Sequence, residues 1–123
     1  MKHVVSRLAL IFVISTSSSS AYAQQFNGRW EIEVDVNLPC AIVPGQRFVA
    51  LISKNRLNLE INDSTKGAHL SGSISNSGHV LGEVTRGSHF AKGEGTLGAD
   101  SGSGIWKSAH CEGVWTAKKI KVQ

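Results

Sequence analysis

Apolar and polar residues alternate with a period of two through most of the chain, a pattern typical of half-buried β-strands. The clearest run is FNGRWEIEVDV at positions 26–36, where Trp30, Ile32 and Val34 alternate with charged residues. Apolar residues do not recur at helical spacing over three turns anywhere in the sequence. The sequence therefore predicts an all-β domain whose strands each have one buried face and one polar face.

Two alternating segments, RFVALIS at 47–53 and RLNLEIN at 56–62, predict a hairpin. Lys54 and Asn55 between them suit a two-residue turn. The pairs expected across that turn are Ile52 with Leu57, Ala50 with Leu59, and Phe48 with Ile61. All six apolar residues then share one face, which supports this register.

The later segments continue the alternation. AHLSGSI (68–74) and GHVLGEV (78–84) predict a pair with a turn near Asn76, which sets His79 opposite Ser73 and His69 opposite Glu83. The other predicted strands are HFAKGEGTL (89–97), GIWK (104–107) and CEGVWTAKKIKV (111–122), with GADSGS (98–103) as a loop. If His89 lies opposite Val84, Gly93 and Gly95 face inward and allow the sheet to curl.

These segments make about eight short strands in one antiparallel meander, and a meander must cover its two edges. Closure into a small barrel removes both edges. The sequence therefore predicts a closed or nearly closed barrel, with an open β-sandwich or curled sheet as the alternative.

The N-terminal residues 1–23 have the features of a cleaved secretory signal. Lys2 and Arg7 precede an apolar run from Leu8 to Ile14, and Ala21-Tyr22-Ala23 forms an A-x-A cleavage site. The run is shorter than the roughly 20 residues that a membrane-spanning helix needs. We therefore expect a single periplasmic or secreted domain at residues 24–123, without a membrane span.

The charge of the chain does not indicate nucleic-acid binding. The whole chain carries 13 basic and 9 acidic residues, and loss of Lys2 and Arg7 lowers its net charge from +4 to near +2. The basic cluster at 118–121 is short and lacks the interleaved aromatic residues of a nucleic-acid surface. We expect a monomer that does not bind nucleic acid.

The two cysteines, Cys40 and Cys111, predict a disulfide in an oxidising compartment. Cys40 follows the first predicted strand and Cys111 precedes the last one. Antiparallel pairing of those two strands, which would close a barrel, would bring the cysteines together. A reactive or metal-binding thiol pair is the alternative, but the sequence has no C-x-x-C spacing.

The start of the first strand, Gly28-Arg29-Trp30, resembles the G-x-W motif of the calycin group of barrels, which includes lipocalins and avidins. The resemblance implies that Trp30 packs across a closed barrel end against a basic side chain of the last strand, Lys119 or Lys121. The chain is also similar to small secreted bacterial β-rich proteins with a G-S-G-x-W … C-x-G-x-W tail, here Gly102 to Trp106 and Cys111 to Trp115.

The sequence context argues against a dinucleotide site, a metal site and a hydrolase nucleophile. GEGTLG at 93–98 matches a dinucleotide fingerprint, but no helix follows it, so no cofactor is expected. His69, His79 and His89 recur every ten residues, yet the predicted strands separate them, so no metal site is expected. No nucleophile elbow lies between a strand and a helix. We therefore expect a protein that is not an enzyme.

The aromatic residues suggest binding instead. Trp106, Trp115 and Phe90 are candidate contacts for a small apolar ligand or a protein partner at the barrel mouth, although core packing is the simpler role for the two tryptophans. The first alternative function is inhibition of a secreted hydrolase, through a loop at 39–46 that contains Ile42 and Val43, or through the loop at 98–103. The second alternative is a structural envelope protein.

Overall fold

In a computed structural model, the described residues, 25–36 and 47–121, form eight antiparallel strands that close into one barrel. The strands are β1 (Gly28–Val36), β2 (Arg47–Ser53), β3 (Arg56–Leu59), β4 (Ala68–Ile74), β5 (His79–Arg86), β6 (His89–Leu97), β7 (Ser101–Ser108) and β8 (Glu112–Lys119). Each strand pairs with the next, and β1 pairs with β8 from Trp30–Lys119 to Val36–Gly113. The predicted all-β class, meander and closure are confirmed. The predicted signal peptide lies outside the described residues.

The period-two alternation places the core inside the barrel, as predicted. In β2, for example, Phe48, Ala50 and Ile52 are buried, whereas the residues between them are more exposed. The buried apolar residues of the described chain are Phe26, Trp30, Val34, Phe48, Ala50, Ile52, Leu59, Ala68, Ile74, Val80, Ala91, Leu97, Trp106, Trp115 and Ala117. They come from every strand, because each strand contributes one face to the same interior.

The β2–β3 hairpin has the predicted turn but ends earlier than predicted. Lys54 and Asn55 both have positive φ angles, 52° and 65°, as a type I′ turn requires. The ladder stops at Ala50–Leu59, so the expected pairing of Phe48 with Ile61 is wrong, and Ile61 is 59% exposed.

The chain leaves the sheet after Glu60, whose amide still donates to the Val49 carbonyl at 3.0 Å, because a compact loop begins there. The buried Thr65 hydroxyl donates to the Glu60 carbonyl at 3.0 Å and accepts from the Asn62 amide at 2.8 Å. The Asn62 side-chain oxygen accepts the amides of Ser64 and Thr65. These bonds satisfy the polar groups of the loop locally, so its backbone does not continue the ladder.

The β4–β5 hairpin has the predicted inward face but a register shifted by two residues. Ser73 pairs with Leu81, and His69 pairs with Thr85, so the predicted partners His79 and Glu83 are wrong. The connection is longer than the one assumed, because Ser75 donates its amide to His79 at 2.8 Å around Gly78, which has a φ of 97°. A shift of two keeps every side chain on its face.

The predicted loop at 98–103 is half as long in the structure. Ser101, Gly102 and Ser103 belong to β7 and pair with Lys118, Ala117 and Thr116 of β8. The connection is only 98–100, closed by the Gly98 amide donating to Ser101 at 2.7 Å. The composition of this segment predicts a loop, but pairing with β8 outweighs that local preference.

The seam between β3 and β4 has the fewest paired residues of any junction in the described sheet. Its register contains one pair, Arg56–Ser73, next to a bond from the Ile74 amide to Asn55 at 2.9 Å. Beyond it, the Leu59 amide donates to the side chain of Asn58 at 3.0 Å rather than to β4.

Candidate functional site

Trp30 lies at one end of the barrel interior. Trp30 is 0% exposed, and its indole N–H donates to the Phe26 carbonyl at 2.9 Å. The Nζ atom of Lys119 lies 5.8 Å from the centre of the Trp30 ring and donates to the Gln25 carbonyl at 2.9 Å. A cation over an aromatic face is a favourable contact. Phe26 is also buried, so apolar side chains fill this end of the barrel.

The other two tryptophans lie against glycines of neighbouring strands. A Cβ atom on Gly95 would lie 2.6 Å from Cζ2 of Trp115, and one on Gly104 would lie 2.6 Å from both Cε2 and Cζ2. A Cβ atom on Gly113 would lie 2.8 Å from Nε1 of Trp106. The glycines therefore let both indoles lie close to the barrel wall.

With the indoles at the wall, the interior retains an apolar cavity of about 110 Å³. Trp30, Trp106 and Trp115 contribute to its surface. Its aliphatic lining residues are Ile32, Val34, Ala50, Ile52, Leu57, Leu70, Val80, Val84, Ala91 and Leu97. Protein interiors are otherwise packed with few voids larger than a water molecule. This cavity is the candidate functional site.

The three indole N–H groups differ in their hydrogen bonding. That of Trp30 is bonded to Phe26, and that of Trp115 donates to the Ile105 carbonyl at 3.2 Å. That of Trp106 is buried and has no hydrogen-bond partner among the described residues. The cavity wall therefore includes a tryptophan whose polar atom is unsatisfied.

The aromatic residues predicted to bind a ligand are placed differently by the structure. Trp106 and Trp115 are 6% and 8% exposed, and both line the cavity. Each is therefore a core residue and a candidate ligand contact at the same time. Phe90 is 53% exposed, pairs with Thr85 and does not line the cavity. A contact between Phe90 and a ligand or partner at the barrel mouth stays a prediction.

The loop residues Ile42 and Val43 lie outside the described residues, and so does Cys40. The inhibitor alternative that names this loop therefore stays a prediction, as does the envelope alternative. Cys111 is half-buried and packs against the core two residues before Gly113, the partner of Val36.

The ten-residue histidine repeat does not bring its members together. His69 and His79 lie on the outer face, while His89 pairs with Arg86 and belongs to the inward-facing row. Residues 25–36 and 47–121 contain no group of three or more His, Cys, Asp or Glu side chains that could hold a metal ion. The expected pairing of His89 with Val84 is wrong, since Val84 pairs with Ala91, but this shift of two residues keeps each side chain on its face, and Gly93 and Gly95 share the inward row with buried Ala91 and Leu97.

Leu57 and Leu70 line the cavity, although neither was among the residues predicted to contact a ligand. The alternation had placed both on inward faces, and that signal is sufficient to find them. Their position on either side of the β3–β4 seam is visible only in the structure, because it depends on where β3 ends.

The charged pair Arg29–Glu60 lies outside the cavity, on the barrel surface. Arg29 Nε and Nη2 donate to the two Glu60 carboxylate oxygens, each at 2.9 Å. This bidentate bond lowers the pKa of Glu60 and raises the pKa of Arg29. The pair ties β1 to the loop that follows β3.

Comparison with other proteins supplies no relative: no family model, curated protein or solved structure matches this chain. In the described part of the chain, no helix is long and apolar enough to cross a membrane. The site is therefore interpreted from its own geometry.

Proposed function

We propose that this protein is a non-catalytic binding domain that holds a small apolar molecule inside its barrel. The observation that carries the proposal is the apolar cavity of about 110 Å³ lined by three tryptophans. Leaving such a cavity empty sacrifices packing interactions, which favours the presence of an occupant.

The size of the cavity sets the size of the molecule. An engineered cavity of about 150 Å³ in another protein stays dry and binds benzene or xenon. The cavity described above is of the same order, so it suits a ligand with the bulk of a single six-membered ring. A long-chain lipid would require the barrel to expand.

Thermal unfolding in the presence of benzene tests the proposal. A ligand that binds only the folded state raises the unfolding temperature. We expect benzene to raise it for the wild type and to have no such effect on Ala91→Leu, in which added methyl groups fill the cavity. Thr96→Leu, on the exposed face of the same strand, is the matched control and should retain the benzene effect. No benzene effect on the wild type would refute the proposal.

We also propose that Cys40 and Cys111 form a disulfide in the mature protein. Support comes from the pairing of Val36 with Gly113, because Cys40 follows Val36 by four residues and Cys111 precedes Gly113 by two. Thiol titration of the unfolded, unreduced protein should find no reactive thiol, and two reactive thiols would overturn the proposal.

We further propose that the chain is exported after cleavage behind Ala23. N-terminal sequencing of the protein recovered from the periplasm or medium should begin at Gln24. Retention of residues 1–23 on a cytoplasmic protein would contradict export.

A further inference from the structure

The indole nitrogens of the three tryptophans are directed away from the cavity. Those of Trp30 and Trp115 donate to backbone carbonyls, as described above. That of Trp106 has almost no accessible surface, and a Cβ atom on Gly113 would lie 2.8 Å from it, so it lies against the neighbouring strand. The tryptophans therefore contribute carbon atoms, and not N–H groups, to the surface of the cavity.

The remaining surface of the cavity is also almost wholly apolar. It is formed by glycines, by Phe48 and by aliphatic side chains. Lys92 borders the cavity too, but it belongs to the outward row of β6 and is exposed. Because a buried water needs two to four polar partners, this surface is unsuited to water.

Such a surface discriminates against any ligand that carries a hydrogen-bond donor or acceptor. A polar atom that enters an apolar site loses its hydrogen bonds to water and gains none in return. The cost is largest in surroundings like an alkane, which cannot form hydrogen bonds, and smaller in octanol, which can. The cavity should therefore select ligands as an alkane does.

We propose that the ligand is a small hydrocarbon, with about six carbon atoms and no hydrogen-bonding group. This inference rests on the proposed function and narrows it, because alcohols, ketones and fatty acids are apolar over most of their surface but are excluded here. The number of carbon atoms follows from comparison with benzene in a cavity of similar volume.

Benzene and pyridine form a matched pair of probes, since a ring nitrogen that accepts hydrogen bonds replaces one C–H group in a molecule of the same shape. Their affinities for the wild type are measured by titration calorimetry at a pH where pyridine is neutral. The partition of each probe from water into cyclohexane and into octanol is measured alongside. We expect the ratio of the benzene affinity to the pyridine affinity to match the ratio of their partition into cyclohexane.

Two substitutions place a hydroxyl group on the cavity wall and should relax this selectivity. Val84 and Ala91 both line the cavity, so Val84→Thr and Ala91→Ser provide a donor for the pyridine nitrogen. We expect each to lower the benzene-to-pyridine affinity ratio roughly two- to tenfold, the value of one ordinary hydrogen bond. Val114→Thr makes the same exchange on the outer face, where Val114 is 49% exposed, and should leave the ratio unchanged.

The wild-type ratio decides the inference even if a variant does not fold. A ratio closer to the octanol value than to the cyclohexane value would overturn the inference, while binding of both probes would leave the proposed function intact. An unchanged ratio in both Val84→Thr and Ala91→Ser would likewise contradict it. Failure of benzene to bind the wild type would overturn both proposals.

Discussion

At the scale of single residues, the interior is shaped by glycines that lie across from tryptophans. Gly95 and Gly104 occupy successive strands beside Trp115, in a row formed by their pairings. An indole that packs on a glycine covers backbone instead of another side chain. It therefore lies along the barrel wall and does not fill the centre of the barrel. The cavity follows from this arrangement.

Replacement of Gly104 by alanine should therefore destabilise the barrel. The added Cβ would meet the Glu94 carbonyl oxygen and lie 2.6 Å from two ring atoms of Trp115. We expect the free energy of unfolding to fall by about 1–3 kcal/mol, as for other overpacked interiors. Denaturant titration followed by tryptophan fluorescence measures it.

Gly98→Ala is the control for that substitution. The nearest atom to a Cβ at Gly98 is the Ser101 carbonyl oxygen, at an ordinary 3.4 Å. We expect a change within about 0.5 kcal/mol, typical of surface sites. Equal losses for the two variants would contradict a specific role for contact with Trp115.

The Arg29–Glu60 ion pair should make the stability of the folded protein depend on pH. The bond from Arg29 lowers the pKa of Glu60, so the ionised carboxylate is favoured in the folded state. This stabilisation is present above the usual glutamate pKa of about 4.3 and disappears as the pH falls through the lowered folded-state value.

Glu60→Gln should accordingly unfold at lower denaturant than the wild type at pH 7, with the difference vanishing in acid. Unfolding titrations over a pH series measure the difference. Glu94→Gln, which removes a carboxylate outside the ion pairs of the described residues, should show little of this dependence. A constant difference between Glu60→Gln and wild type across all pH values would count against the ion pair.

At the scale of strands and turns, alternation predicted most elements because a side-chain period of two depends only on local sequence. β2, β4 and β6 have the predicted limits. The errors lie where the length of a turn or a tertiary contact determines the pairing. The β4–β5 register depends on how Gly78 extends the turn, and the end of β3 depends on the loop that Thr65 stabilises. Turn geometry of that kind is not encoded in alternation.

The cavity itself was less predictable than the strands. The sequence left open whether Trp106 and Trp115 belong to the core or to a binding surface, and whether an inward tryptophan fills a barrel depends on its neighbours across the sheet. Those neighbours, Gly95, Gly104 and Gly113, are set by register. The unsatisfied Trp106 N–H is a property of three-dimensional packing and has no signal in the sequence.

The β3–β4 seam should be the least protected part of the barrel to hydrogen exchange. Its register has one pair within the described residues, and the Leu59 amide is bonded to a neighbouring side chain. We expect the Leu59 amide to exchange faster than that of Gly82, whose strand pairs along its length on both sides.

Native-state exchange followed by NMR measures these rates. Leu57 and Leu70 line the cavity beside the seam, so opening there would admit a ligand. A bound apolar probe should then slow exchange at Leu59 more than at Gly82. Uniform protection of the two amides would remove the seam as an entry route.

At the scale of the whole molecule, closure depends on contacts between the two ends of the described chain. β1 pairs with β8 over seven positions, and the Ile120 amide donates to the Arg29 carbonyl at 2.8 Å. The sheet is therefore continuous around the barrel, and no strand is an edge. The order of the strands in space does not depend on where the chain is interrupted, provided that the break falls in a turn.

A circular permutant tests that property. Joining the two ends by a short Gly/Ser linker and opening the chain between Gly87 and Ser88 breaks an exposed turn and leaves every strand whole. We expect this permutant to unfold cooperatively, with the near-ultraviolet circular dichroism of its buried tryptophans retained. Opening the chain between Gly93 and Glu94 instead interrupts β6 between two paired strands and should abolish that signal. Loss of the signal in both permutants would show that β1–β8 pairing alone cannot maintain closure.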